Sequence, residues 1–161
     1  MPDRRIRPIA SGDVAAVVEL VYDLAEYERA HEHCHLTADQ LGAALFGPSP
    51  ALFGLVAVDG EVVVGYALYF LNFSTWEGVH GIYLEDLYVR PAHRRRGFGR
   101  AMLLRVARIA AERNCGRLEW SVLDWNEPAI FFYETLGATI MHEWKLVRVT
   151  GSALEKLAKM E

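Results

Sequence analysis

The chain has 161 residues, a formal net charge of −4 and 52% hydrophobic residues. This length predicts one domain over residues 1–161 with a substantial core, while the acidic balance argues against a general nucleic-acid binder. No apolar run reaches membrane-spanning length, no apolar signal core follows the N-terminus, and there are only two cysteines, so we expect a cytoplasmic protein without a disulfide framework.

The first quarter of the chain predicts a short strand and two helices. Residues 6–9 form the strand candidate. Apolar residues at helical spacing predict a helix over residues 14–27 with Asp13 as its cap. The stretch Thr37-Ala38-Asp39-Gln40 resembles a cap with an acid in the first turn, and it predicts a second helix that ends at Phe46.

The loop between these helices contains His31, His33, Cys34 and His35. Imidazole and thiolate are common zinc ligands. Alternate neighbours on a short loop rarely converge on one ion without distant partners. We therefore expect contacts with the loop or with a substrate here, and no metal site.

Three strands are predicted next. Residues 52–58 and 62–70 flank Asp59-Gly60, a dipeptide typical of a tight hairpin turn. A second turn over residues 73–78 leads into a strand over residues 81–89. Three neighbouring antiparallel strands thus precede a basic segment.

That basic segment has the order strand, glycine loop, helix. Pro91 ends the strand, three arginines precede Gly97-Phe98-Gly99, and helical spacing then continues through Ile109. A helix N-terminus offers unpaired N–H groups and partial positive charge, so added arginines there call for an anion. A bound phosphate satisfies both the unpaired backbone N–H groups and the arginine guanidinium groups. A solvated basic loop is the alternative.

The remaining chain predicts alternating elements. A strand is expected over residues 118–123, followed by a helix over residues 129–136 that Asn126 caps and Pro128 begins. An extended segment over residues 138–149 and a terminal helix over residues 152–159 complete the prediction.

Several of these motifs resemble one enzyme family. Arg94-Arg95-Arg96-Gly97-Phe98-Gly99 matches the Arg/Gln-x-x-Gly-x-Gly/Ala loop of the GNAT superfamily of N-acetyltransferases. Nearly the whole chain is similar to its diamine acetyltransferase branch, which includes the spermidine/spermine and thialysine enzymes. That similarity is carried by Ile6-Arg7-Pro8, Ala25-Glu26-Tyr27-Glu28, Trp76, Tyr83-Leu84-Glu85-Asp86-Leu87, Asp124-Trp125-Asn126-Glu127-Pro128-Ala129, Phe132-Tyr133 and Leu136-Gly137-Ala138.

The resemblance implies an α+β protein of the GNAT fold, with a central mixed, mostly antiparallel twisted sheet flanked by helices. It implies direct acetyl transfer from acetyl-coenzyme A to a primary amine of a small molecule (a thialysine-like amino acid, a diamine or a polyamine), and a homodimer. Tyr133 matches the general acid, and Glu85 matches a residue that deprotonates the amine through water. The implied cofactor-binding residues are Leu87, Tyr88, Val89, Arg94, Arg95, Arg96, Gly97, Phe98, Gly99, Arg100, Asn126 and Ala129, and the implied substrate residues are Tyr27, Glu28, Glu85, Glu119, Trp120 and Ser121.

The chain departs from the polyamine enzymes at two places. Ser74-Thr75 stands where they have an acid before the residue that matches Trp76, and the segment from Thr139 to Trp144 is shorter. Both departures weaken a long polycation as substrate.

Alternatives to this mechanism and activity remain open at the level of sequence. Acetylation of a protein or peptide amine, a non-catalytic acyl-coenzyme A sensor, and a covalent route through Cys34 or Cys115 are each compatible with some of the motifs.

Because Glu85 and Asp86 are adjacent on a predicted strand, we expect them on opposite faces.

Overall fold

A five-stranded sheet forms the framework of the protein in the computed structural model, which describes residues 3–160. The first four strands are antiparallel in chain order, and the fifth pairs in parallel with the fourth. This arrangement confirms the predicted mixed sheet. The strands are β1 (Ile6–Pro8), β2 (Phe53–Asp59), β3 (Val62–Ser74), β4 (Val79–Val89) and β5 (Leu118–Glu119).

The chain divides into two compact units, one ending at Ser121 and one beginning at Val122. The first contains the sheet with helices α1 (Val14–Tyr27), α2 (Ala38–Phe46) and α3 (Phe98–Glu112), and the second contains α4 (Glu127–Thr135) and α5 (Gly151–Leu157). None of the helices in the described part of the chain has the length and apolar character needed to cross a membrane.

Both faces of the sheet are covered within the first unit. On one face, α1 and α2 pack Val17, Leu20 and Leu41 against the buried Tyr66 and its neighbours. On the other face, α3 lies so close that a side chain at Gly65 would approach Met102. Neighbouring residues of a strand point to opposite faces. Gly65 accordingly faces α3, whereas the side chain of Tyr66 faces α1 and α2.

Local signals set several boundaries as predicted. The Thr37 hydroxyl accepts from the Gln40 N–H at 3.2 Å and the Gln40 side chain accepts from the Thr37 N–H, which is a full capping box. Gly60 has a φ of +64° in the predicted β2–β3 turn. Pro128 lies in the first turn of α4, where its missing N–H costs nothing.

Asp13 and Asn126 stand at the predicted N-cap positions of α1 and α4, but neither makes a side-chain capping bond to its helix. Asp13 caps a short 3₁₀ turn ahead of α1 instead of α1 itself: its carboxylate accepts from the Ala10 N–H at 2.8 Å and pairs with Arg7 at 2.6 and 2.9 Å. The reason is that Asp13 is already in helical conformation where α1 begins. Asn126 precedes α4 without a side-chain capping bond.

The C-terminal boundaries also differ from the predictions. β5 ends at Glu119 instead of residue 123, and the segment 138–149 contains no strand, only a turn at residues 142–143. Alternating apolar residues are a local signal, whereas a strand also needs a partner for its N–H and C=O groups. α4 and α5 each begin and end one or two residues earlier than expected, which is the usual uncertainty of helix ends.

Candidate active site

Strand β4 contains a bulge at Glu85, the residue predicted to deprotonate the amine. Leu68 of β3 pairs with Asp86 and Tyr69 pairs with Leu84, so Glu85 has no partner on β3. A bulge interrupts the alternation of side chains, which removes the basis for placing Glu85 and Asp86 on opposite faces. Asp86 lies opposite Leu68 and thus on the face covered by α1, while Glu85 is exposed.

The placement of Asp86 on this face perturbs its ionisation. The buried Tyr66 hydroxyl donates to its Oδ2 at 3.1 Å. Burial raises the pKa of Asp86 to about 6, and repulsion from Glu85 and Glu28 adds to the rise. Sequence analysis did not assign Asp86 a role, although a second acid inside an apolar strand was a signal that could have identified it.

The C-terminal end of α1 brings two predicted substrate residues next to this strand. Glu28 is near enough to raise the pKa values of Asp86 and Tyr66. Desolvation also raises the pKa of Glu28, although part of its side chain faces solvent. Three carboxylates, those of Glu28, Glu85 and Asp86, therefore form one acidic cluster.

Arg94 joins α1 to the predicted cofactor strand. Its guanidinium lies 5.0 Å from the ring centre of Tyr27 and 5.4 Å from that of Tyr88. Its Nε donates to the Val89 carbonyl at 2.9 Å. The two aromatic rings also border an open groove of about 570 Å³ that extends to residues 90–93, a volume typical of ligand sites.

The basic loop has the predicted strand–loop–helix geometry. β4 ends at Val89 and α3 begins at Phe98, with Gly97 at φ +83° immediately before the helix. Arg95 also has a positive φ of +61°, a conformation that is costly for a residue with a side chain. No side chain caps the N-terminus of α3. This uncapped end and the surrounding guanidinium groups fit a diphosphate.

The predicted substrate residues at the end of β5 and just after it already have protein partners. Glu119 pairs with Arg117 at 2.8 Å and accepts from the Asn72 amide at 3.2 Å. The Ser121 and Tyr83 hydroxyls are 2.8 Å apart, and the neighbouring Trp120 is half-buried. The substrate roles of Glu119, Trp120 and Ser121 stay predictions.

The other predicted residues lie in the second unit, along α4. Asn126 precedes the helix, and Ala129 and Tyr133 follow at intervals of three and four residues, so the three share one helix face. Tyr133 is half-buried, and its ring centre lies 5.4 Å from that of Phe132. Their roles at the thiol end of the cofactor and as general acid stay predictions.

The loop over residues 31–35 contributes a histidine to local packing. No group of three or more His, Cys, Asp or Glu side chains with metal-binding geometry occurs among residues 3–160. His31 instead packs its ring 5.6 Å from that of Tyr22.

Comparison with known proteins agrees with this geometry. The profile of the acetyltransferase (GNAT) family matches residues 16–138. The chain is 38% identical to a thialysine N-epsilon-acetyltransferase of Bos taurus over 95% of its length and 96% of the relative's. It is 44% identical to an L-ornithine N5-acetyltransferase of Arabidopsis thaliana over 64% of its length and 45% of the relative's.

Solved structures agree at the level of the fold. An integron cassette protein from the mobile metagenome of V. cholerae superposes with a TM-score of 0.80 at 27% identity, covering 96% of this chain and 97% of that one. The family profile covers most of the chain and the full-length relatives share more than a third of its residues. The protein therefore belongs to the GNAT family of acetyltransferases and is an acetyltransferase that uses acetyl-coenzyme A.

Proposed function

We propose that this enzyme transfers an acetyl group directly from acetyl-coenzyme A to a primary amine of a small molecule that carries a second cationic group, such as a thialysine-like amino acid or a short diamine. The relatives named for thialysine and ornithine support this substrate class. Both of those amino acids carry two amino groups.

The acidic cluster of Glu28, Glu85 and Asp86 carries the proposal. Burial raises the pKa of Asp86 to about 6, repulsion from Glu85 and Glu28 adds to the rise, and desolvation raises the pKa of Glu28. Carboxylates that repel one another in a partly desolvated place are costly unless a cation offsets them. A substrate ammonium group supplies that cation.

Acetyl transfer needs a neutral amine, although an alkylammonium has a pKa of about 10.4. In the proposed mechanism Glu85, the exposed residue of the bulge, takes this proton through water. The N–H of Leu87 is the candidate donor to the carbonyl oxygen that gains charge, and Tyr88 and Val89 hold the pantetheine arm. Tyr133 protonates the departing thiolate.

The remaining residues have binding roles in this proposal. The loop Arg94 to Arg100, with Gly97, Phe98 and Gly99, holds the diphosphate at the start of α3. Asn126 and Ala129 contact the thiol end of the cofactor, and Tyr27 contacts the substrate. A single domain over residues 1–161, a homodimer and a cytoplasmic location also stay predictions.

An amine panel tests the substrate class. We expect kcat/KM for putrescine, ornithine, lysine and thialysine to exceed that for the matched monoamines propylamine and butylamine by at least about tenfold, because one desolvated ion pair contributes roughly 1–3 kcal/mol. Free thiol release reports the rate. Equal values for diamines and monoamines would contradict the proposal, and acetylation of peptides alone would replace the small-molecule substrate by a peptide.

A further inference from the structure

Asp59, at the end of β2, contacts the basic loop from outside the GNAT motif. Its carboxylate forms a two-point ion pair with Arg96, with Nη1–Oδ2 at 2.7 Å and Nη2–Oδ1 at 3.2 Å. His93 Nε2 lies 3.6 Å from the same carboxylate. The β2–β3 turn is thereby joined to the loop by a paired, planar contact.

The N-terminal strand region holds the same loop residue at its backbone. Arg5 Nη1 donates to the Arg96 carbonyl at 3.1 Å, and its guanidinium lies 4.4 Å from the ring centre of the buried Phe98. Asp3 keeps Arg5 in place with an ion pair of 2.7 Å. Arg96 is thus held at both its side chain and its carbonyl.

The four arginines that precede or begin α3 differ in whether their guanidinium groups already contact other protein groups. Arg94 and Arg96 are engaged with Val89 and Asp59. Among residues 3–160, the guanidinium groups of Arg95 and Arg100 form no hydrogen bond or ion pair with another residue. Arg95 and Arg100 can therefore meet an incoming anion without breaking a protein contact, and Arg94 keeps terminal nitrogens beyond the Nε that the Val89 carbonyl engages.

Asp59 presents a contradiction if charge alone governs this site. A carboxylate beside an anion-binding loop opposes the anion, and its pKa is lowered by Arg96 first, with His93 and Arg5 adding to the effect, so the group stays charged. The presence of the Asp59 carboxylate beside an anion site is explained if this side chain has a structural role there that outweighs its repulsion of the anion.

We propose that Asp59 is a positioning residue for the cofactor loop: by holding Arg96 together with Arg5, it keeps residues 94–97 in the conformation that presents the backbone N–H groups at the start of α3 to the diphosphate. This inference rests on the proposed role of the loop. It predicts that removal of the Asp59 charge weakens cofactor binding, whereas simple electrostatics predicts that the same change strengthens it.

Calorimetric titration with coenzyme A tests whether the affinity falls or rises when the Asp59 charge is removed. We expect Asp59→Asn to weaken binding about fivefold, and to raise KM for acetyl-coenzyme A while kcat and the KM for the amine stay unchanged. Glu61→Gln is the matched control, since it removes an exposed acid from the same β2–β3 turn. The control is expected to bind at least as tightly as the wild type.

A charge exchange separates positioning from a general loss of stability. The double variant Asp59→Arg with Arg96→Asp restores a pair of the same charges, and we expect it to recover affinity to within about twofold of the wild type, although each single variant is weak. Wild-type or tighter binding by Asp59→Asn overturns the positioning role alone. Failure of the wild type to bind coenzyme A overturns the assigned role of the loop, and the role of Asp59 with it.

Discussion

Replacing Tyr133 with phenylalanine is expected to lower kcat by about 10²–10⁴-fold while the Kd for acetyl-coenzyme A changes less than about threefold. A positioned general acid contributes an acceleration of this size. Proton transfer from an ordinary phenol (pKa ~10) to a thiolate (pKa ~8.5) is uphill by about 2 kcal/mol. The transfer must therefore be concerted with departure of the thiolate, and phenylalanine cannot take part in it.

Steady-state kinetics and calorimetry on the same preparation check this result. Tyr22→Phe is a suitable control because it removes a hydroxyl whose partner is the Leu36 carbonyl at 3.1 Å, a contact within the scaffold. It is expected to lower stability slightly and to leave kcat unchanged. Equal losses of kcat and of cofactor affinity in Tyr133→Phe would reject the acid role and make Tyr133 a packing residue.

The second large effect is expected at Asp86. Asp86→Asn keeps an oxygen that accepts from the Tyr66 hydroxyl but removes the charge. We expect the variant to be more stable than the wild type by about 2 kcal/mol at pH 8, or about 4–8 °C in Tm. We also expect kcat/KM for diamines to fall about tenfold, with a smaller loss for monoamines, because the cationic group of the substrate loses a partner.

The sign of the stability change follows from linkage. The pKa of Asp86 is about 6 in the folded protein and 3.8 in the reference state, so between these values the folded chain holds a proton that the unfolded chain has released. The contribution of this group is full below about pH 4 and is lost as the pH rises through about 6. A shift of about two pH units corresponds to about 3 kcal/mol, and the partial exposure of Asp86 reduces it to about 2.

Denaturant unfolding of both proteins between pH 4 and pH 8 measures this contribution. The difference between variant and wild type should be near zero at pH 4 and should grow to its full value by about pH 7. Tyr66→Phe provides a second check, since the hydrogen bond from the Tyr66 hydroxyl lowers the pKa of Asp86, and the loss of this bond in the variant should move the transition to higher pH. A difference that is constant with pH would show that Asp86 is not responsible.

The part of the fold that depends on local chemistry was predictable. The Thr37 capping box, the Asp59-Gly60 turn and the apolar stripe of α1 each contain their own physical cause within a few residues. The bulge at Glu85 and the unpaired segment 138–149 could not be predicted, because both depend on which strand lies alongside and in what register.

The same distinction holds for the candidate site. The loop around Gly97 was visible because glycine, arginine and a helix start follow one another in the chain. The acidic cluster was not, since Glu28 and Asp86 are far apart in sequence and meet only after α1 packs on the sheet. The contact of Asp59 with Arg96 was missed for the same reason, although both residues lay within recognised motifs.

Intact-protein mass spectrometry, combined with product analysis, tests direct acetyl transfer most simply. The account predicts that the protein keeps its unmodified mass after incubation with acetyl-coenzyme A. When a diamine is then added, one N-acetylated diamine should form for each free thiol released. An acetyl group on Cys34 or Cys115, discharged when the amine is added, or thiol release without an acetylated amine, would contradict it.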